Sequence, residues 1–331
     1  MHGTAISHEI QALQKVLAAY GIKWAETKIQ PVTNGFSGAT VYQLAVNSRA
    51  CENTFALKQW PQGQPAYLSL SHIHRRMMLA HFAGIHQIPK VVLLPTGASC
   101  FHDGGRTWDL VEWKQGKSVS NPTSDELEQA LTALTKIHVA WRESTNLRRA
   151  PCTAVQLHHQ RLRNWKQDEW QYLLKAPDQL VQNAARLLQR LQPGALCKLE
   201  PWLTRPVILQ PCLGDIWSEH VLFEESKLTG IVDFGGVRWD HPTQDVVRLL
   251  SSYEVSGNRC LKHILDMLPD KSITFQTLIH LLWESSLMVS LSNWIRWLYL
   301  ENRSFLQVNQ CRARIELIFC RLCHQYSNFL D

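Results

Sequence analysis

Val207-Ile-Leu-Gln-Pro-Cys-Leu-Gly-Asp215-Ile-Trp-Ser-Glu-His220-Val-Leu-Phe223 is followed by a charged turn, Glu224 to Lys227, and then by Leu228-Thr-Gly-Ile-Val-Asp233-Phe-Gly235. An apolar strand leads into a short loop carrying Asp215. His220 opens the next strand, the charged residues turn it back, and the return strand ends at Asp233. Three polar side chains are thereby expected at one mouth. Two carboxylates at neighbouring loop ends can divide the labour of a phosphoryl transfer: one takes the proton of the attacking hydroxyl, the other holds the magnesium ion that bridges phosphate oxygens. Taken singly, each aspartate is an ordinary turn or helix cap. Their order and the hairpin spacing give the pair its meaning.

Outward from this stretch, the first third of the chain alternates short β-like runs with turn residues, whereas the rest is mainly helical. That segregation predicts an α+β fold. Strands are expected at 24–32, 39–46, 54–60, 90–95 and 107–113. A helix over about 66–82 places Leu70, Ile73, Met77 and Ala80 on one face. Lys114-Gln-Gly-Lys117 has the character of a connector, after which Ser124-Asp-Glu opens a helix with Leu127, Leu131, Leu134 and His138 on one side. Further helices are expected at 154–173 and 177–192, then strands from Pro206 to Val232, then helices to the end.

The paired aspartates, with Gly214-Asp215 and Asp233-Phe234-Gly235 in this order, resemble the aminoglycoside phosphotransferase and choline kinase-like family, relatives of protein kinases. The resemblance runs from about residue 24 to 300. It implies a two-lobed protein-kinase-like fold: a small β-rich, nucleotide-binding N-lobe over 1–111, a hinge at 112–117, and a larger helical C-lobe over 118–331. It also implies ATP-dependent transfer of a γ-phosphate to a hydroxyl of a small molecule, with Asp215 as catalytic carboxylate. Asp233 and His220 fall at the metal positions, for Mg2+ or, given an imidazole ligand, Mn2+. Gly35, Ser37 and Gly38 lie in what resembles the family's glycine-containing loop, where backbone amides approach phosphate. Lys58, in Phe55-Ala-Leu-Lys58, resembles the strand lysine that contacts nucleotide phosphates. Glu112 and Trp113 would form the hinge whose backbone holds adenine. Asp245, in Trp239-Asp-His-Pro-Thr-Gln-Asp245, would brace the catalytic loop, with Asp240 a weaker candidate for substrate contact.

Three positions depart from the family pattern. Leu213 replaces a histidine, His220 replaces an asparagine, and no Asp or Glu occurs between Glu52 and Asp103 to pair with Lys58. Asp233 could pair with Lys58 instead, or His72 or His74 could orient phosphate directly. Otherwise His72, His74, His81 and His86 read as a solvated polar face. These departures motivate an alternative, a nucleotide-binding pseudokinase without transfer activity. Trp283 and Glu284 could receive a cationic amine, although helical apolar spacing favours core packing there. An aminoglycoside-binding cleft should carry negative charge, and this chain is net positive.

Composition narrows the remaining classes. The chain has 331 residues, is 45% hydrophobic and carries a formal charge of +6. Its richest basic stretch, Arg142 to Lys166, is interleaved with Glu143, and Asp168 and Glu169 follow; that suits a solvated helix face better than a nucleic-acid surface. The N-terminal run, with Ile6, Ile10, Leu13 and Leu17 on one side, is an amphipathic helix rather than an export signal. Residues 278–300 are apolar but broken by Glu284, Asn293 and Arg296, which argues against a membrane span. Nine cysteines suit reduced thiols in a cytoplasmic protein. Cys320-Arg-Leu-Cys323-His324 matches a haem-attachment spacing, yet falls within a helical run. The expected partner is a small-molecule substrate, with neither nucleic acid nor membrane; the sequence leaves the oligomeric state open.

Overall fold

The computed structural model describes residues 2–32, 39–47, 52–61, 67–253, 272–303 and 308–326. The α+β segregation holds, with strands crowding the first third and helices dominating the rest. The chain divides into two units. One comprises Met1–Ser118, Asp125–Ser144 and Glu219–Gly235, the other Val119–Ser124, Thr145–Ser218 and Gly236–Asp331.

In the first unit, β1 (Thr27–Val32), β2 (Thr40–Asn47), β3 (Glu52–Gln59), β4 (Phe101–Asp103) and β5 (Arg106–Glu112) form an antiparallel sheet in the order β1-β2-β3-β5-β4. Side chains alternate across a strand, so each face collects its own residues. Leu57, Trp108 and Leu110 join Tyr42 and Leu44 against Leu13, Val16 and Leu17 of helix α1 (His2–Ala19) and Tyr20 just after it. Lys58 therefore takes the other face, directly opposite Asp109 in the antiparallel register. The β4–β5 hairpin escapes a sequence reading only in β4, which is three residues long; β5 answers to the strand expected at 107–113. Its turn, Gly104-Gly105, has positive φ at both residues (57° and 77°), which suits a two-residue hairpin. The strand expected at 90–95, bounded by Pro89 and Pro95, is reduced to one bridge between Val91 and Val111.

Helix α2 (Tyr67–Phe82) buries Leu70, Ile73, Met77 and Ala80 as its periodicity requires. It also buries His74, which is 1% exposed, so the reading of its histidines as one solvated face is wrong at that position. Helix α3 (Ser124–Glu143) buries Leu127, Leu131, Leu134, His138 and Trp141. A three-stranded sheet of β6 (Lys117–Ser118), β9 (Val221–Glu224) and β10 (Lys227–Ile231) completes this unit. Glu225 and Ser226, at φ 48° and 59°, make the expected tight turn between β9 and β10. His220 does not open β9. It ends a single 3-10 turn, Ser218–His220, and β10 stops at Ile231, two residues before Asp233.

The second unit contains a sheet of β7 (Arg148–Pro151), β8 (Pro206–Cys212) and β11 (Arg238–Asp240), with β8 central. The helix expected at 154–173 is two helices, α4 (Thr153–Arg163) and α5 (Gln167–Leu174). Glu169 makes the break stable: it accepts the backbone N–H of Lys166 (2.9 Å) and both Nη groups of Arg296 (2.7 and 2.9 Å). Helix α6 (Gln179–Leu199) runs past the stop expected before Pro193. Buried Ala195 and Leu199 continue the stripe of Val181, Ala184 and Leu188, and that packing outweighs the roughly 3 kcal/mol cost of an interior proline.

Helices α7 (Thr243–Ser252), α8 (Ile273–Ile295) and α9 (Val308–Gln325) fill the remainder. Helix α8 is apolar on every side because α4, α6, α7 and α9 all pack on it. Its buried hydroxyls are bonded: Ser285 donates to Leu281 O (2.8 Å) and Ser292 accepts Trp165 Nε1 (2.7 Å). Glu284 pairs with Lys198 at 2.6 Å. No helix among the described residues is long and apolar enough to cross a membrane. Cys320 and Cys323 lie within α9 as free thiols.

His158 on α4 is buried and shares a 2.8 Å hydrogen bond with Ser285. Burial, reinforced by Arg248, Arg161 and Arg238, lowers its pKa from 6.5 to about 3. Between those values the unfolded chain binds a proton that the native imidazole refuses, so stability must fall as pH drops below about 6.5. His158→Leu, which leaves Ser285 bonded to Leu281, should remove this dependence. Thermal melts at pH 6.5 and 4.5 read it, and equal losses in both proteins would refute it.

Candidate active site

Asp233 stands at φ 59°, a left-handed conformation uncommon for a residue with a Cβ. Such backbone persists where surrounding contacts over-determine it, and it clusters at functional sites. Two contacts hold Asp233. Lys58 Nζ donates to Oδ1 at 2.9 Å, and the Gly235 N–H reaches the same oxygen at 3.4 Å. Burial pushes its pKa up, but Lys58 and then His220 outweigh that and hold it below the ordinary carboxylate value. His220 Nε2 lies 3.8 Å from Oδ2, beyond a hydrogen bond.

The family's helix glutamate is thus replaced by a different arrangement around Lys58. Its ammonium sits 4.0 Å from the centroid of the Trp60 ring. Trp60 Nε1 donates to Asp109 Oδ1 at 2.7 Å, and His74 Nε2 meets Asp109 Oδ2 at 3.0 Å. The Trp60 ring also lies against Gly235, where a Cβ would come within 3.0 Å of it. The lysine is therefore positioned by a carboxylate at its tip and an oriented indole below, with His74 anchoring that assembly to α2. His72 is exposed and takes no part.

Gly35, Ser37 and Gly38 lie outside the described residues. Glu112 and Trp113 end the sheet, and their N–H groups donate to Lys90 O (2.8 Å) and Thr54 O (3.0 Å). Those two donors are engaged within the fold, which leaves carbonyl oxygen as the backbone group they can offer a base.

In the second unit, Asp215 follows β8 on a loop fixed from below. Asp245 on α7, fully buried, accepts the N–H of Leu213 and of Gly214, each at 2.7 Å. This is the bracing role expected of Asp245. Gly214 has φ 77°, and a Cβ there would fall 2.3 Å from Gly236 O and 2.4 Å from Arg238 Nη1. A Cβ on Gly236 would come within 2.7 Å of Asp215 Cβ. Only glycine fits either position. Asp240 is not available to a substrate: it is 0% exposed and accepts N–H groups from Ala154 (3.1 Å) and His241 (2.9 Å).

The partner of Asp215 is one that sequence reasoning missed. Arg248 donates to its Oδ1 from Nη2 (2.7 Å) and Nε (3.2 Å), and Trp217 Nε1 donates to the same oxygen at 2.9 Å. The Arg248 guanidinium also lies 3.8 Å over the Trp217 ring. Its only trace in the sequence is the spacing from Asp245: residues i and i+3 share a helix face.

The class of fold defined by this arrangement is that of the protein-kinase-like phosphotransferases. A spectinomycin phosphotransferase solved with ADP and spectinomycin superposes with TM-score 0.64 and 13% identity, covering 94% of this chain and 93% of that one. An aminoglycoside phosphotransferase from Alicyclobacillus acidocaldarius gives 0.59 at 16% identity, with 95% of both chains covered. A macrolide 2'-phosphotransferase from Brachybacterium faecium gives 0.50 at 11%, covering 92% and 97%. No curated protein matches the sequence. The profile of the Phosphotransferase enzyme family matches residues 28–268, and the chain belongs to that family.

Proposed function

We propose that the chain transfers the γ-phosphoryl group of ATP to a hydroxyl of a small molecule, with Asp215 as proton acceptor and Asp233 as magnesium ligand. The observation that carries this reading is Asp233, fixed in a left-handed conformation with its carboxylate on Lys58. Nucleotide use is further supported by the ADP bound in the spectinomycin phosphotransferase. In the reaction the acceptor oxygen bonds to the γ-phosphorus while the bond to the β–γ bridging oxygen breaks. The hydroxyl proton passes to Asp215, and ADP leaves. Lys58 neutralises phosphate charge. Magnesium, when bound, screens the phosphate oxygens as charge moves onto ADP.

Asp233 suits magnesium, which favours oxygen ligands. His220 suits it less. Ligating imidazoles almost always donate their second N–H to an acceptor, whereas His220 Nδ1 is buried with no hydrogen-bond partner among the described residues. We therefore assign the essential ligation to Asp233 and place His220 against phosphate oxygen.

The test is a melt with ADP and magnesium. At a hundred times its dissociation constant the nucleotide should stabilise the native protein by about 2.7 kcal/mol. Lys58→Ala and Asp233→Asn should remove most of that shift, and an unchanged shift in both would overturn the reading. His220→Asn should keep magnesium-dependent turnover; complete loss would put the ion on His220 as well. A nucleotide-binding pseudokinase is the second reading, favoured by the capture of Asp215 by Arg248.

A further inference from the structure

Three arginines from three elements contact the loop of Asp215, and a fourth, Arg161, lies within electrostatic reach of Asp215. Arg248 of α7 binds the carboxylate and is 12% exposed at its side chain. Arg238 of β11 donates to Gly214 O at 2.8 Å. Arg314 of α9 lies 5.3 Å from the centroid of the Trp217 ring, the same ring that Arg248 covers. Arg161 of α4 is solvent-exposed and makes no hydrogen bond or ion pair with the described residues. The electrostatics follow this crowding. Although part of its side chain meets solvent, crowding by the surrounding protein and then Arg238 push Arg161 below its usual pKa, with Asp215 acting against them. Arg248 is lowered by desolvation, raised by Asp215, and lowered again by Arg161 and Arg238. Among nearby acids, Asp245 is committed to backbone amides, while Asp240 serves Arg238 (3.3 Å) and two amides.

We propose that the acceptor of this enzyme is anionic, a hydroxy compound whose carboxylate or phosphate is gripped by Arg161 and Arg248. This deepens the phosphotransferase reading and rests on it for the role of Asp215. The planar guanidinium matches both anions in geometry, and crowded like charges relax when a ligand anion joins them. A cationic amine entering beside Asp215 meets the opposite situation: Arg161, Arg238 and Arg248 repel it, and like-charge juxtaposition is a strong means of rejecting the wrong ligand. The same contact gives the anion a second effect. Arg248 holds Asp215 until a competing anion draws the guanidinium away, so acceptor binding frees the carboxylate to take the hydroxyl proton. The base is then poorly available to water when no acceptor is present.

Matched three-carbon probes test this on the full chain loaded with ADP and magnesium. Glycerol 3-phosphate and glycerate supply the two anions, glycerol is neutral, and serinol carries an ammonium. By isothermal titration at least one anion should bind about tenfold or more tighter than glycerol and serinol, the scale of a charged hydrogen bond, and the two anions rank phosphate against carboxylate. Arg161→Gln and Arg248→Gln should each erase most of that preference. Arg161 is exposed, so its variant reads the effect even where Arg248→Gln disturbs folding. Serinol or glycerol binding as tightly as the anions, no anion binding at all, or an anion preference unchanged in Arg161→Gln would each overturn the proposal. Failure of the phosphotransferase reading is separately visible as loss of ADP binding by the wild type.

Discussion

Asp215→Asn should lower phosphate transfer by about 10² to 10⁴-fold, the usual contribution of a positioned general base. Asparagine is nearly isosteric, and its Oδ1 still accepts from Arg248 and Trp217, whose hydrogen bonds all meet that oxygen in the wild type. The loop is thereby kept in place while its basicity is removed. ADP affinity should stay within a fewfold of wild type, because the groups assigned to nucleotide, Lys58 and Asp233, pair with each other. The pattern to look for is a collapse of kcat with little change in nucleotide binding, measured with the best acceptor found by a labelled-ATP screen. Transfer at wild-type rate would remove Asp215 from the chemistry.

Asp245→Ala should produce the largest loss of stability at the site, about 2–6 kcal/mol, since two buried N–H groups lose their acceptor at roughly 1–3 kcal/mol each. Both bonds are 2.7 Å and the carboxylate is fully buried, so little water can compensate. The same change frees the backbone of Leu213 and Gly214, next to the reacting group, and a displacement of about 1 Å there can cost about a hundredfold in rate. Asp245→Asn keeps one acceptor but presents an amide NH2 to the other N–H, so it should fall between wild type and alanine. Chemical denaturation would decide it. A denaturation midpoint unchanged in Asp245→Ala would show that the clamp carries no free energy.

Much of this was legible in the sequence because its signals were local. The apolar alternation in β2, β3 and β5 and the charged reversal at Glu224 to Lys227 each declare themselves within ten residues. What the sequence hid is contact between distant residues. His74 looked like one polar residue among several on a helix, and only the sheet supplies Asp109, 35 positions away, to make it a buried anchor. The helix that follows Lys58 holds no acid; the sequence offers Asp233, 175 positions downstream, as one alternative, and only the fold singles it out. Arg248 is one cation on an amphipathic helix, which ordinarily faces water. Its capture of Asp215 depends on how β8 and α7 pack, a matter of tertiary geometry with no short-range signature.

The contact between Gly214 and Gly236 has an evolutionary corollary. Two backbone segments meet there with no side chain between them, and neither position has a substitute among the other nineteen residues. A lineage drifting toward a new acceptor is free to sample Arg161, Trp217 and Arg314, yet must keep both glycines silent throughout. Selectivity in this scaffold is thus open to change at the rim while the glycine contact beneath Asp215 stays frozen.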